Sequence, residues 1–230
     1  MQVKELYAYF LRSTGVATDT RKIKKGCLFF CLKGEKFDGN TFAEEALAKG
    51  AKFVVVDNPK HQKNNHSYLL VKESLGSLQE LAHHHRNQFS IPVIGLTGSN
   101  GKTTTKELIC SVLSQQFITT ATEGNLNNHI GVPLTLLNIN SKTQITLVEM
   151  GANHIKEIAF LCELSQPSLG YITNFGKAHL EGFGNVDGVI KGKSELYQFL
   201  KKNKGIALIN PEDPKQLKLT EEQRRFSFGE

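Results

Sequence analysis

The run Gly95-Leu-Thr-Gly98-Ser-Asn-Gly101-Lys102-Thr103-Thr104-Thr105 combines the residue types that hold the phosphates of a nucleotide. It follows an apolar stretch with strand character and opens a helical pattern, the context a phosphate-binding loop requires. Glycines let the backbone turn tightly and aim successive N–H groups at phosphate oxygens. The helix N-terminus adds partial positive charge. Lys102 is placed to bridge the β- and γ-phosphates, and the Thr103 hydroxyl to ligate Mg2+. Gly98, Ser99, Asn100, Gly101, Lys102, Thr103 and Thr104 are therefore the candidate nucleotide-binding residues. The run departs from the strict G-x-x-x-x-G-K-[ST] spacing: Leu96 stands in the place of the first glycine, and Gly98 lies three residues before Gly101.

Further candidates lie downstream. Glu149 closes the apolar run Ile145-Thr-Leu-Val148. A carboxylate at the C-terminal end of a parallel strand sits where α/β folds bind ligand, so Glu149 is a candidate Mg2+ ligand; the alternative is a solvated strand-end glutamate. His179 follows Asn174 beyond another strand pattern and is a candidate second metal ligand or a donor to phosphate. The metal candidates are thus Thr103, Glu149 and His179. Lys191 and Lys193 share a helical pattern on which alternate residues point roughly opposite ways, so at most one of them faces a site. His83, His84 and His85 are consecutive on a helix and cannot converge on one metal; a solvated helix end is the expectation. Cys27, Cys31, Cys110 and Cys162 form neither a disulfide framework nor a zinc pattern, and buried thiols at 27 and 31 are expected.

These side chains need a scaffold. Residues 28–32 and 53–56 look like buried strands, with a capping-box helix start at Thr41-Phe-Ala-Glu44 between them and Gly50 as its stop. A second helix is expected over 74–87, and 88–92 reads as a boundary. Beyond it, strands at 92–97, 117–121, 145–150, 169–173 and 206–210 alternate with helices at 102–116, 130–138, 154–164 and 186–202, and a last strand begins near 224. The chain is therefore expected to be α/β: a small mixed α/β domain over 1–90, then a doubly wound, mostly parallel domain of P-loop ATPase type over 91–230.

Composition narrows the partners. Apolar residues make up 39% and charged residues 22%, ordinary for a soluble globular protein. No apolar run approaches the length of a membrane span, and residues 1–15 lack the apolar core of a signal peptide, so a cytoplasmic location is expected. The net charge is +6, and residues 1–90 carry 14 Lys/Arg against 9 Asp/Glu, while 91–230 carry 14 against 13. A basic first segment suits a diphosphate-bearing small molecule, and without interleaved aromatics nucleic acid is disfavoured.

Thr-Gly-Ser-Asn-Gly-Lys-Thr resembles the ATP loop of the Mur ligase superfamily, which includes folylpolyglutamate synthase. Glu123-Gly-Asn125-Leu-Asn127-Asn128 and the residues to Leu137, Glu149-Met-Gly-Ala-Asn-His154, and the segment from Ile172 through His179 to Gly184 resemble that superfamily's D-alanyl-D-alanine-adding branch, and Asn125-Leu-Asn-Asn and Glu149-Met-Gly-Ala resemble it rather than the MurE-type branch. Lys193-Ser-Glu195 falls where related ligases carry a carbamylated lysine. Thr18-Asp-Thr-Arg21, Gly26-Cys-Leu-Phe-Phe30 and Lys33-Gly-Glu-Lys-Phe-Asp-Gly-Asn40 resemble its uridine-nucleotide domain, with Thr20 where serine is usual.

The resemblance implies an ATP- and Mg2+-dependent ligase of peptidoglycan synthesis. It would phosphorylate the terminal carboxylate of UDP-MurNAc-tripeptide and let the amine of D-Ala-D-Ala displace phosphate. It assigns catalysis to Lys102, Glu149, His179 and Lys193, and substrate binding to Thr20, Arg21, Lys33, Gly34, Asp38, Asn40, Asn125, Asn127 and Asn128. A MurE-type ligase, a folylpolyglutamate synthase relative and a non-catalytic nucleotide-binding module are the alternatives. The superfamily has a third, C-terminal domain, so the chain is expected to be a truncated piece that binds UDP-substrate, binds ATP weakly and does not ligate alone.

Overall fold

The computed structural model describes residues 1–63, 65–176 and 179–228. Lys177 and Ala178 of the His179-bearing segment, and Gly229 and Glu230 of the expected last strand, lie outside the described residues. The chain divides into two compact units, Met1–Gln88 and Phe89–Glu230.

The first unit runs α1 (Val3–Leu11), β1 (Val16–Ala17), β2 (Leu28–Phe30), β3 (Lys33–Gly34), β4 (Phe37–Asp38), α2 (Ala43–Ala48), β5 (Phe53–Val56), β6 (Tyr68–Leu70) and α3 (Ser74–Arg86). Its main sheet is parallel, in the order β1-β2-β5-β6. Every residue of β2 and β5 is buried, as continuous apolar runs covered on both faces must be. Cys27, Phe29, Cys31, Val54 and Val56 pack on Ala43 and Ala46 of α2. Burial pushes the Cys31 thiol up to about 12, so it is an inert core group.

Two local expectations fail for identifiable reasons. Thr41 does not cap α2: its hydroxyl donates to the Asp38 carbonyl at 2.7 Å, and a 3-10 turn over Gly39–Phe42 leads into the helix instead. His85 is not solvated. It is 4% exposed, with Nδ1 3.2 Å from the Tyr7 hydroxyl and its ring edge-on to Phe10, because α1 packs against α3 at that point.

The second unit continues with β7 (Val93–Thr97), α4 (Lys102–Leu113), β8 (Thr119–Ala121), α5 (Gly131–Leu136), β9 (Ile145–Glu149), α6 (Glu157–Ser165), β10 (Leu169–Ile172), α7 (Leu180–Phe183), α8 (Val186–Lys202), β11 (Ile206–Ile209), α9 (Pro214–Leu219) and β12 (Arg225–Ser227). All six strands are parallel, in the order β12-β11-β10-β7-β9-β8. α4 covers one face through Ile109, Cys110 and Leu113 against Ile94, Leu96 and Leu147. α6 and α8 pack together and cover the other face, as a doubly wound sheet requires. The strand order reverses at β7, with β9 on one side and β10 on the other, so the crevice outside the carboxyl end of β7 is the place for a ligand. Among the described residues no helix is long and apolar enough to cross a membrane.

Asp57, just past β5, ties much of the first unit together. Its carboxylate, 4% exposed, pairs with Lys33 Nζ at 2.8 Å and accepts from Asn40 Nδ2 at 2.8 Å and from the Ser74 N–H at 3.1 Å. Burial alone would raise this carboxyl, but Lys33, Asn40 and Ser74 together hold it below the ordinary aspartate value. Asp57→Ala strands a buried amide and a helix-start N–H, and is expected to lower the unfolding free energy by about 3 kcal/mol in urea titration. A depressed carboxylate pKa stabilises above its unfolded value and is lost as pH falls through the folded one. Wild type and Asp57→Ala should therefore converge in stability below pH ~4.

Candidate functional site

The loop between β7 and α4 owes its shape to two glycines. Gly98 has φ +145°, and a Cβ there would collide with the Thr173 hydroxyl. Gly101 is the residue before α4 and has φ +76°. Between them the loop is fastened to the end of β10: Ser99 N–H donates to the Asn174 carbonyl at 3.1 Å, Asn100 N–H to Asn174 Oδ1 at 3.2 Å, and Thr173 Oγ1 to the Asn100 carbonyl at 2.6 Å. The Asn100 N–H is thus engaged, and the free donors belong to the first turn of α4, where N–H groups have no intrahelical acceptor. Lys102 folds back over the loop, its Nζ 3.0 Å from the Gly98 carbonyl and 3.4 Å from that of Ser99. Burial lowers the Lys102 pKa, and the nearby Glu149 charge opposes that shift.

Glu149 is fully buried, not a solvated strand end. Its Oε1 accepts from Asn127 Nδ2 at 2.7 Å and from Thr103 Oγ1 at 3.3 Å, and its N–H donates to Thr122 Oγ1 at 3.0 Å. Its Oε2 is buried with no hydrogen-bond partner. A buried oxygen of this kind calls for a cation or a donor. No three His, Cys, Asp or Glu side chains gather round one point among the described residues, so there is no carboxylate cage. One hydroxyl (Thr103) and one carboxylate (Glu149) are, however, the sparse donor set Mg2+ takes when phosphate oxygens and water fill the rest of its octahedron. The residues present fit that ion.

A cleft of about 410 Å3 opens beside this pair, with Lys102, Asn125, Asn127, Asn128, Glu157 and His179 among its walls. Asn128 is committed to structure, since its Oδ1 accepts from the N–H groups of Ile130 and Gly131 at the start of α5. His179 is exposed on the cleft wall with φ +50°. A second cleft of about 670 Å3 lies on the other side of the loop, lined by Asn100, Asn174, Asn210 and Asp213.

Lys193 and Lys191 are separated as helix geometry demands: Lys193 is 1% exposed and Lys191 is exposed. Lys193 Nζ donates to the Ala152 carbonyl at 3.1 Å and lies 5.4 Å from the centroid of the Phe183 ring. Burial, with the Lys102 charge adding to it, lowers the Lys193 pKa to about 8. Glu195, two residues on, accepts from the N–H groups of Lys156 at 2.6 Å and Ala159 at 2.9 Å, and so caps α6 from α8.

In the first unit the nominated residues fall into two groups. Arg21 is exposed and held bidentately by Asp19, its Nη2 2.7 Å from Oδ2, and Thr20 stands in the same turn. Lys33, Gly34, Asp38 and Asn40 lie in or beside the β3–β4 hairpin, where Asn40 is 1% exposed and spends its amide on Asp38 and Asp57. Asn40 shapes this loop rather than presenting a free polar group. Asp57, Lys106, Thr122 and Glu195 organise the two units and are not among the sequence candidates. Asp57 carries the same signal as Glu149, a carboxylate closing an apolar strand, and Glu195 stands in the Lys193-Ser-Glu195 motif; Lys106 and Thr122 show no signal in the sequence.

Residues 96–230 match the family described as Mur ligase middle domain, and residues 12–92 match the Mur ligase family, catalytic domain. The chain is 43% identical over 209 residues to the UDP-N-acetylmuramoyl-tripeptide--D-alanyl-D-alanine ligase of Escherichia coli (strain K12), covering 91% of this chain and 46% of that relative. It therefore spans less than half the length of that relative. Among solved structures it resembles MurF from Acinetobacter baumannii, with TM-score 0.84 and 33% identity over 99% of this chain and 53% of that one. It also resembles MurF ligase from Thermotoga maritima in complex with ADP, with TM-score 0.82 and 33% identity over 96% of this chain and 51% of that one.

The buried Lys193 gives a measurable pH signature. Between its folded pKa of about 8 and the ordinary lysine value of 10.5, the unfolded chain binds a proton that the folded chain has released. Stability therefore rises with pH across this window. Relative to Lys193→Met, which cannot titrate, the wild-type chain should gain up to roughly 3 kcal/mol from pH 8 to pH 10.5 in denaturant titrations.

Proposed function

This chain belongs to the Mur ligase family, and from that premise we propose that its parent enzyme joins D-alanyl-D-alanine to UDP-MurNAc-tripeptide at the expense of ATP, through an acyl phosphate. The observation that carries the reading is the buried Glu149 beside Thr103 and Lys102, with one carboxylate oxygen held and the other without a partner. The 43% identity to the Escherichia coli ligase that adds D-alanyl-D-alanine favours that branch over a MurE-type ligase, a folylpolyglutamate synthase relative or a silent nucleotide-binding module. A cytoplasmic location goes with this reading.

The residues suggest how the work divides. The terminal phosphate belongs beside Lys102 and Glu149, so the nucleoside extends the other way, over Asn100 and Asn174 into the second cleft. Lys102 Nζ exchanges the loop carbonyls for phosphate oxygens and stays on the phosphoryl group as it moves, where a fixed charge lowers the barrier most. Thr103 Oγ1 and Glu149 Oε2 would hold Mg2+, which when bound would supply further positive charge to the phosphoryl group. The first cleft, walled by Asn125 and His179, receives the carboxylate to be activated. The basic first unit holds the uridine diphosphate through its Arg21 turn and its β3–β4 hairpin.

Lys193 is suited to carbamylation. Its lowered pKa leaves a usable fraction of free amine near neutral pH; the amine nitrogen bonds to the carbon of CO2 and loses a proton to solvent. The resulting carbamate is a carboxylate on α8, and it replaces a buried cation with an anion.

Calorimetry on the chain distinguishes the readings. UDP-MurNAc-tripeptide should bind more tightly than UDP-MurNAc-dipeptide, and a folate should not bind. Lys102→Ala should weaken Mg·ATP binding at least ~10-fold, the scale of a lost charge-assisted contact, with UDP-MurNAc-tripeptide binding retained. Preference for the dipeptide or for a folate moves the chain to another branch, and retained Mg·ATP affinity in Lys102→Ala removes the loop from the site.

A further inference from the structure

Lys106 lies one turn beyond Lys102 on α4, and its side chain has no solvent exposure. An ammonium taken out of water is costly unless its three donors are met. Here they are met: Nζ donates to the carbonyl oxygens of Thr122 at 2.7 Å and Gly124 at 3.0 Å, and pairs with Glu107 Oε1 at 2.9 Å. Two carbonyl oxygens that converge on one point repel each other, so a cation at that point sets the curve of the backbone carrying them. The curve is sharp, with φ +53° at Gly124. On either side of it the chain is bonded to Glu149. Thr122 Oγ1 accepts from the Glu149 N–H, and Asn127, three residues past Gly124, holds Glu149 Oε1. The Asn127 carbonyl also accepts from the Gly151 N–H at 2.8 Å, which fastens the far end of the segment just beyond β9.

We propose that Lys106 is a positioning residue for the metal-binding carboxylate: by drawing Thr122 and Gly124 onto α4 it holds Asn127 against Glu149 Oε1, which leaves Oε2 as the oxygen for Mg2+. The same helix begins with Lys102 and Thr103, so one buried ammonium sets the carboxylate and the phosphate loop relative to each other. Nothing in this role requires Lys106 to touch nucleotide or metal. The inference rests on the reading of residues 98–103 with Glu149 as a Mg·nucleotide site.

The test is calorimetric titration of the 230-residue chain with ADP at stepped Mg2+ concentrations, for wild type, Lys106→Met, Asn127→Ala and the double variant. If the wild-type chain shows no Mg2+-dependent ADP binding, the underlying reading falls and the inference falls with it. Where wild type does bind, Lys106→Met is expected to raise the Mg2+ concentration for half-maximal binding ~10-fold, as loss of an outer-shell partner does. ADP binding without Mg2+, which depends on Lys102 and the loop, should be retained. In the Asn127→Ala background Lys106→Met should add little, because both changes release the same oxygen. A purely structural lysine would lower the melting temperature and leave the Mg2+ midpoint in place, or shift it additively with Asn127→Ala; either result overturns the proposal. If Lys106→Met does not fold, Lys106→Arg keeps the charge but seats it farther from the backbone. The same midpoint shift is then expected, and an unshifted midpoint counts against the proposal.

Discussion

Glu149 carries a carboxylate out of water at the end of a buried strand, and the second unit is arranged around that fact. Removing a carboxylate from solvent costs several kcal/mol, so its oxygens must be met from within the protein or by something bound to it. The protein meets one. Asn127 and Thr103 both reach Oε1, the first from the loop after β8 and the second from the helix that follows the phosphate loop. The other oxygen is buried with no hydrogen-bond partner. Preorganisation of this sort places fixed groups before the charge they serve arrives, and it explains why a buried lysine is tolerated on α4.

Asp57 makes an instructive contrast. It too is a carboxylate immediately past a buried parallel strand, and it too is withdrawn from water. Its oxygens, however, are met by Lys33, Asn40 and the first N–H of α3, so it acts as a clasp for a hairpin and a helix start. A carboxylate in the same topological place is thus fully met from within the protein in one unit and only half met in the other. What separates them is whether both oxygens are met from within the protein.

Lys102 and Lys193 are both withdrawn from water, and the neighbouring carboxylates Glu149, Glu157 and Glu195 oppose the resulting shifts. Burial lowers the pKa of both lysines, and the Lys102 charge lowers that of Lys193 further. Desolvated lysines of this kind are stabilised further by added negative charge. A triphosphate beside Lys102 and a carbamate on Lys193 are the kinds of charge that suit this site.

Much of this was legible in the sequence, because strands, turns and loops follow local rules. The alternation of apolar strands and helices, the glycines that shape the 98–101 turn, and the Gly-Lys-Thr opening of α4 depend on neighbours in the chain, so the α/β class and the phosphate loop could be read directly. Glu149 could be nominated from its place at a strand end. Its burial, and the open state of Oε2, arise only when β8, β9 and α4 are assembled. The failures have the same origin. Thr41 looks like a helix cap until Asp38 offers its hydroxyl a nearer acceptor, and His85 looks solvated until α1 packs against α3. That Asp57, 17 residues away, engages the Asn40 amide is likewise invisible to any local pattern. Lys106 carries no local mark at all, since a lysine on a helix reads as surface until two carbonyls 16 and 18 residues downstream fold onto it. Local patterns in the chain reveal which residue types stand in the loop and at the strand ends; which of their hydrogen-bonding atoms are engaged depends on contacts between residues distant in the chain, and those exist only in the folded structure.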